Sequence, residues 1–351
     1  MTDRAVNLSG RDGSARADPP PAEMGLFLEE ACNPNIIFMS TPWRIVFMGT
    51  PQVAAVTLEH LIQGPDPVVG VVTQPDRPAG RGQRRIPAPV RRVAEGRGIP
   101  VVAPEKIRDP EFLKTLMGWK PEIIVVVAYG RILPKTILDL APYGCLNVHY
   151  SLLPKYRGAA PAAWTIIKGE TTAGVTTMKL VEKMDAGPIY LQESTPVASD
   201  ETTGSLQAKL TPIGARLLLE TLRQLKEGSL TSREQDESKA TLAPLLKKED
   251  GLIDWAQPAV TIERRVRGLD PWPGAYSHID GKFLKIHRMK VVAADTKGSP
   301  GEVMRADGGG FWVATSSGLL GLDEVQMENR KRLSGVEFLR GARIKPGDRF
   351  E

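Results

Sequence analysis

Between residues 44 and 128 the chain alternates short β-branched runs with helical periods, and this alternation restricts its fold more than any other feature. Residues 44–48, 68–73, 100–102 and 123–128 are apolar and rich in Val and Ile, with helical patterns at 53–62, 90–98 and 112–117 between them. Short apolar runs of this kind read as strands buried on both faces. Strands alternating with helices predict a parallel, doubly wound sheet. Such sheets bind ligands beyond the carboxyl ends of their strands, so chemistry is expected in the loops there. Gly49-Thr50-Pro51 after the first strand lacks the three spaced glycines of a dinucleotide turn, which argues against an NAD enzyme.

At 351 residues the chain exceeds one average domain, and two are expected. A helical pattern at 211–225 gives way to a polar stretch at 226–243, read as a linker. Beyond it, short β-like runs at 275–279, 283–286, 311–314 and 318–322 predict a small antiparallel barrel. The expected organisation is a disordered extension over 1–42, a first domain over 43–226, a linker over 227–245 and a second domain over 246–351. The extension carries Asp3, Asp12, Asp18, Glu23, Glu29 and Glu30, unlike a transit peptide, and the functional chain is expected to start near Met39. Two cysteines, Cys32 and Cys145, give no disulfide framework, and no apolar run approaches the ~20 residues that span a membrane. A cytoplasmic monomer is therefore expected. The net charge of +5 is compatible with an anionic partner and equally with a solubilising surface.

The residues that carry chemistry fall between 128 and 189. In Cys145-Leu146-Asn147-Val148-His149 the strand period of two puts Asn147 and His149 on one face. An amide and an imidazole sharing one space suit acyl transfer to an amine, the first donating to a carbonyl oxygen and the second handling the amine proton. Asp185, in a glycine-containing loop, is a candidate to hold the imidazole. His149 read alone is more often a hydrogen-bonded structural histidine. Ser151 lacks the elbow of a serine nucleophile, and no second His or Cys stands at metal-ligand spacing, so no metal is expected.

Several long motifs, in order, resemble the methionyl-tRNA formyltransferase family. They are residues 73–82 (TQPDRPAGRG), 127–130 (VAYG), Asn147-Val148-His149 with Ser151-Leu152-Leu153-Pro154, 157–161 (RGAAP) and 270–274 (DPWPG). The likeness runs from about residue 44 to the C-terminus. It implies an α/β fold, a Rossmann-like formyltransferase domain followed by a small OB-like β-barrel domain. It implies catalytic roles for Asn147, His149 and Asp185 and a folate contact by Ser151, Leu152, Leu153 and Pro154. Ala128, Tyr129, Gly130, Ile132 and Leu133 would line the pterin pocket. The implied donor is 10-formyltetrahydrofolate, and the implied acceptor is methionyl-initiator tRNA. Two positions depart from the pattern: Tyr150, where relatives often carry a small residue or proline, and Ala162-Ala163, where many carry an apolar residue followed by Asn or Gln.

Arg77, Arg81, Arg84, Arg85, Arg91 and Arg92 crowd into sixteen residues, with Pro75, Pro78, Gly80 and Gly82 holding the first part out of a helix, and such a segment suits phosphates and an unpaired acceptor end. The resemblance assigns Arg77, Arg81, Arg84 and Arg85 to the tRNA. Lys247, Lys248, Arg264, Arg265, Arg267, Lys282, Lys285, Arg288 and Lys290 make the front of the second domain basic. The rivals are a formyltransferase for a small amine such as an amino sugar, a formyl-folate hydrolase, and a non-catalytic RNA-binding protein on the same fold. Arg81→Ala is expected to weaken use of charged tRNA while sparing reaction with a small free amine. Equal loss on both, in a paired kinetic assay, contradicts that assignment.

Overall fold

The structure is a computed structural model that describes residues 41–76, 78–79, 84–294 and 298–351. The expected extension over 1–42 lies outside these residues apart from its last two.

A seven-stranded sheet organises the first part of the chain. Its strands are β1 (Ile45–Gly49), β2 (Val68–Val72), β3 (Val101–Val102), β4 (Ile123–Val127), β5 (Cys145–His149), β6 (Thr172–Lys179) and β7 (Ile189–Pro196). Their order across the sheet is β7-β6-β5-β4-β1-β2-β3. β3, β2, β1, β4 and β5 run parallel, while β6 pairs antiparallel with β5 and with β7. The strand order reverses direction between β1 and β4, which makes their carboxyl ends the switch point where such sheets hold ligands. β1, β4 and β5 are buried at every residue, as central parallel strands must be. The sequence reading missed β6, where Thr and Gly interrupt the apolar pattern, and β7, whose apolar start gives way to a polar second half.

The alternation of side chains builds two cores from the same strands. Ile45, Phe47, Val125, Leu146 and Val148 face one side, against α1 (Gln52–Ile62), α2 (Pro89–Gly96) and α6 (Thr203–Lys226). Val46, Met48, Ile124, Val126 and Cys145 face the other, against α3 (Pro110–Gly118) and α4 (Lys135–Leu138). Asn147 and His149 share the parity of Cys145 and so belong to the second face. α6 begins eight residues before the helical pattern expected at 211. Thr202 and Ser205 form a capping box at its start, and Leu206 and Leu210 extend its buried stripe. Pro212 within this helix masked that length in the sequence.

The second part is an antiparallel sheet of β8 (Ala275–Ile279), β9 (Lys282–Ala293), β10 (Val303–Asp307), β11 (Gly310–Ala314) and β12 (Leu319–Met327), ordered β8-β9-β12-β11-β10. Near the C-terminus Phe350 bridges Ile279 on one edge and Arg349 bridges Glu302 beside the other. The C-terminal segment thereby spans from one edge of the sheet to the other, as in a small barrel. Its core includes α7 (Ala259–Gly268) and α8 (Gly335–Gly341), and reaches Ala163 of α5 (Pro161–Ile167). Ala162, its neighbour, is buried in the core of the first sheet. Small residues at 162 and 163 thus let one short helix pack between two cores. Gly268 of α7 lies so close to α5 that an added Cβ would stand 2.4 Å from Ile167.

Three of the nine basic residues of the second domain stand in ion pairs. Arg265 pairs with Asp250, Arg267 with Glu263 and Lys290 with Asp323. Arg267 also donates to the Glu201 carbonyl across the domain contact, which gives it a structural task.

Leu218 of α6 is fully buried in the first core. Leu218→Ala is expected to cost about 2–5 kcal/mol of stability, read as a lower urea midpoint.

Candidate active site

At the end of β1 an added Cβ on Gly49 would meet Val127 O, Ala54 and Phe47, each at 2.8 Å. Glycine there serves the close packing of β1 on β4 rather than a phosphate. β4 ends in a turn at Ala128, which has φ 46°, and Gly130, with φ 77°. The turn drives the Tyr129 ring into the core and leaves Ala128 and Ile132 exposed. Burial raises the Tyr129 phenol, whose oxygen has no hydrogen-bond partner among the described residues. The Tyr129 carbonyl is held by the Gln74 amide at 2.7 Å.

These ends of β1, β4 and β5 border a cleft of about 510 Å³. Asn147 and His149 open into it from β5, and Asp185 reaches it from the loop between β6 and β7. Ile132, Val181, Met184 and Leu245 give it exposed apolar walls. Among the described residues, none donates to or accepts from the Asn147 side-chain amide, although it is almost buried. A buried amide without a protein partner is suited to a ligand.

His149 Nε2 lies 2.9 Å from the Tyr156 carbonyl oxygen. A carbonyl only accepts, so the proton of the neutral ring resides on Nε2. Nδ1 then carries a lone pair and stands 3.7 Å from Asp185 Oδ2. The same carboxylate oxygen accepts the Gly158 N–H at 2.8 Å. The arrangement is a base with a fixed tautomer beside a carboxylate whose orientation is itself fixed, at the end of a dry strand.

The structure therefore brings together Asn147, His149, Asp185 and the turn carrying Ala128, Tyr129, Gly130, Ile132 and Leu133. Ser151, Leu152, Leu153 and Pro154 follow β5 directly and stand behind the residues that line the cleft. Their groups are engaged elsewhere. Ser151 Oγ donates to the Lys155 carbonyl and Leu153 is buried with Met178 and Ile189. Leu152 covers Gly174 of β6, where a Cβ would come within 2.4 Å of its Cδ2. The Thr176 hydroxyl and the Gln192 amide tie the backbone of this loop to β6 and β7. The loop supports the turn that carries Tyr156.

Tyr150 is one of the residues that border the cleft. The side chain is directed into the core toward Thr57 of α1 and Thr211 of α6, over Gly214, and burial raises its phenol. Arg77 and Arg81 lie outside the described residues. Arg84–Arg85 pairs antiparallel with Pro78–Ala79 in a small hairpin that leaves the carboxyl end of β2. Sequence reasoning missed the Tyr156 carbonyl and the Gly158 N–H, because backbone groups leave no signature in residue types. It also missed Gln235, which reads as one more polar residue of a linker. Its amide donates to the Asp185 and Gly187 carbonyls at 2.8 and 2.7 Å. Among the described residues no group of three His, Cys, Asp or Glu side chains is placed to hold a metal ion.

Comparison with known proteins gives a consistent set of relatives. Residues 43–222 match the formyl transferase family and residues 245–343 match the formyl transferase C-terminal domain. The methionyl-tRNA formyltransferase of Citrifermentans bemidjiense is 50% identical over 307 residues, covering 88% of this chain and 96% of the relative. That of Geobacter sulfurreducens is 47% identical with the same coverage of both chains. Among solved structures, an N-formyltransferase from Helicobacter canadensis, in complex with folinic acid and dTDP-3-aminofucose, aligns with a TM-score of 0.58 at 16% identity. It covers 82% of this chain and all of its own. HypX from Aquifex aeolicus, in complex with tetrahydrofolic acid, aligns with a TM-score of 0.56 at 20% identity over 85% of this chain. This chain spans 47% of HypX.

A Cβ added to Gly187 would lie 1.9 Å from the Lys179 carbonyl oxygen, so the turn that carries Asp185 must move. Gly187→Ala is expected to release the Gly158 N–H from its carboxylate. Amide exchange at Gly158 should then speed up roughly tenfold by hydrogen-exchange NMR, with the exchange of central β1 and β4 amides unchanged.

Proposed function

The chain belongs to the methionyl-tRNA formyltransferase family, and we propose that it moves the formyl group of 10-formyltetrahydrofolate onto the amino group of methionyl-initiator tRNA, giving N-formylmethionyl-tRNA for translation initiation. The observation that carries this reading is the convergence of an unpartnered amide, a tautomer-fixed imidazole and an oriented carboxylate on one apolar-walled cleft. The cleft fits the donor. Its size and the walls of Ile132, Val181 and Met184 suit a flat heteroaromatic ring, and Asn147 lies deeper in, where a carbonyl needs a donor. Tetrahydrofolate and folinic acid in the two structures of like fold lend the folate reading support.

The bound donor supplies a formyl carbon open to attack by an amine. Asn147 donates its amide hydrogen to the formyl oxygen, and this bond strengthens as negative charge gathers there. His149 takes the amine proton on Nδ1 as the new carbon–nitrogen bond forms. Asp185 then faces the imidazolium and stabilises it. The ring returns the proton to the departing donor nitrogen as the old carbon–nitrogen bond breaks. Neither a covalent enzyme intermediate nor a metal ion is needed in this route. The Arg-rich segment that follows β2 is assigned to the phosphates of the acceptor end, since guanidinium planes bind phosphate. Among the described residues no helix is long and apolar enough to cross a membrane, and the reading assigns a monomer to the cytoplasm.

Purified protein given 10-formyltetrahydrofolate and methionine-charged initiator tRNA is expected to make formyl-methionine, and to leave free methionine, uncharged tRNA and an amino sugar unformylated. Transfer to the amino sugar but not to the tRNA keeps the chemistry and removes the tRNA. Asn147→Ala is expected to lower the rate about 10²–10³-fold, and a rate within tenfold of the unaltered protein removes the amide from its assigned role.

A further inference from the structure

We infer that Gln235 and Thr241, in the segment between the two domains, are positioning residues that hold the imidazole and carboxylate of the cleft in register. The kinetic part of this inference rests on the formyl-transfer reading. The spectroscopic part does not.

Neither residue lines the cleft. Each acts on a backbone turn that does. Thr241 Oγ1 accepts the Tyr156 N–H at 2.9 Å, and the Thr241 carbonyl accepts the Arg157 N–H at 2.9 Å. Leu242–Ala243 then runs parallel to Arg157–Gly158 as a two-residue ladder. The approach is close enough that a Cβ on Gly158 would lie 2.6 Å from the Ala243 carbonyl oxygen. Between them these bonds fix the peptide whose carbonyl receives His149 Nε2 and the peptide whose N–H binds Asp185. Gln235 does the corresponding work on the other side. Its two amide hydrogens go to the Asp185 and Gly187 carbonyls, and its oxygen accepts Arg157 Nε and Nη2. Arg157 is buried and also makes a two-pronged contact with Glu237.

Backbone conformation shows why such holding is needed. Tyr156 has φ 63° and Asp185 φ 48°, the left-handed region that side-chain-bearing residues adopt at a cost of order 1–3 kcal/mol. Neither turn would keep that shape unaided. Each is tied by one residue of the same connecting segment, and Arg157 joins the two ties. The carboxamide of Gln235 is matched to its place, since two carbonyls need two donors and a guanidinium needs an acceptor.

The test uses the full-length protein with Thr241→Val, Thr241→Ser and Gln235→Glu. Valine keeps the volume of Thr241 and removes the acceptor. Glutamate keeps the contact with Arg157 and removes both donors. Thr241→Val and Gln235→Glu are expected to lower kcat about 10–100-fold while KM for charged tRNA and for the folate donor stays within about twofold, and Thr241→Ser is expected to restore kcat. Imidazole ¹⁵N NMR, taken where the ring is neutral, is expected to show His149 as the Nε2–H tautomer in the unaltered protein and in Thr241→Ser. In Thr241→Val it is expected to show a mixture. A single unchanged tautomer together with unchanged kcat in Thr241→Val overturns the inference. If the unaltered protein formylates no charged tRNA, the functional reading fails, and the tautomer comparison alone decides the positioning role.

Discussion

The parallel pairing of β5 with β4 is the constraint on which the site depends. It sets Asn147 opposite Val126 and leaves His149 at the carboxyl end of β5, beyond the last paired residue of β4. The backbone groups of a central strand are spent on their neighbours, so chemistry at such a strand end must come from side chains. Alternation then decides which side chains these are. Cys145, Asn147 and His149 share a face, while Leu146 and Val148 are committed to the opposite core. Cys145, the innermost of the three, has its thiol pushed up to about 12 by burial and stays an inert part of the packing.

Burial at the strand end makes each polar contact count. An imidazole and a carboxylate placed there without partners would lose their hydration and gain little in return. The structure offsets this with backbone groups, a carbonyl for Nε2 and an N–H for Oδ2, which carry no net charge and no side-chain entropy. Arginine and glutamate enter one layer farther out. Glu237, half-exposed, is held down at about 2 by the guanidinium of Arg157 and then by Lys183. Its contribution is therefore present at neutral pH, above the ordinary carboxylate range, and is lost as pH falls through about 2.

Much of this was legible in the sequence, for reasons that can be located. The runs at 44–48 and 123–128 gave their strands because a strand buried on both faces must be apolar throughout. The pair Asn147 and His149 was legible because a period of two is a property of strands in general. β6 and β7 were not, since the Thr and Gly of the first and the polar half of the second resemble any polar stretch. The contact between Asp185 and His149 depends on a left-handed turn in a loop with no periodicity. The polar segment at 226–243 was read as a linker from composition, which says nothing about backbone pairing. The likeness marked the loop at 151–154 but not how it is held, because its bonds to Thr176, Gln192 and Lys155 run to residues distant in sequence or to backbone groups.

The short ladder between 157–158 and 242–243 joins positions that the chain delivers far apart, and the Tyr156 to Thr241 hydrogen bond beside it spans 85 residues. Chains are made from the amino terminus, and early units begin to fold before later ones exist. The parallel strands and α6 can collapse around their two cores while residue 240 has yet to be made. What stands at that moment is a sheet with the imidazole in place and its acceptor unsecured. Competence arrives later, as a separate step that closes a long loop at an entropic cost growing only slowly with its length. A chain that stops short of the ladder lacks the Thr241 and Ala243 groups that fix the turn from Tyr156 to Gly158.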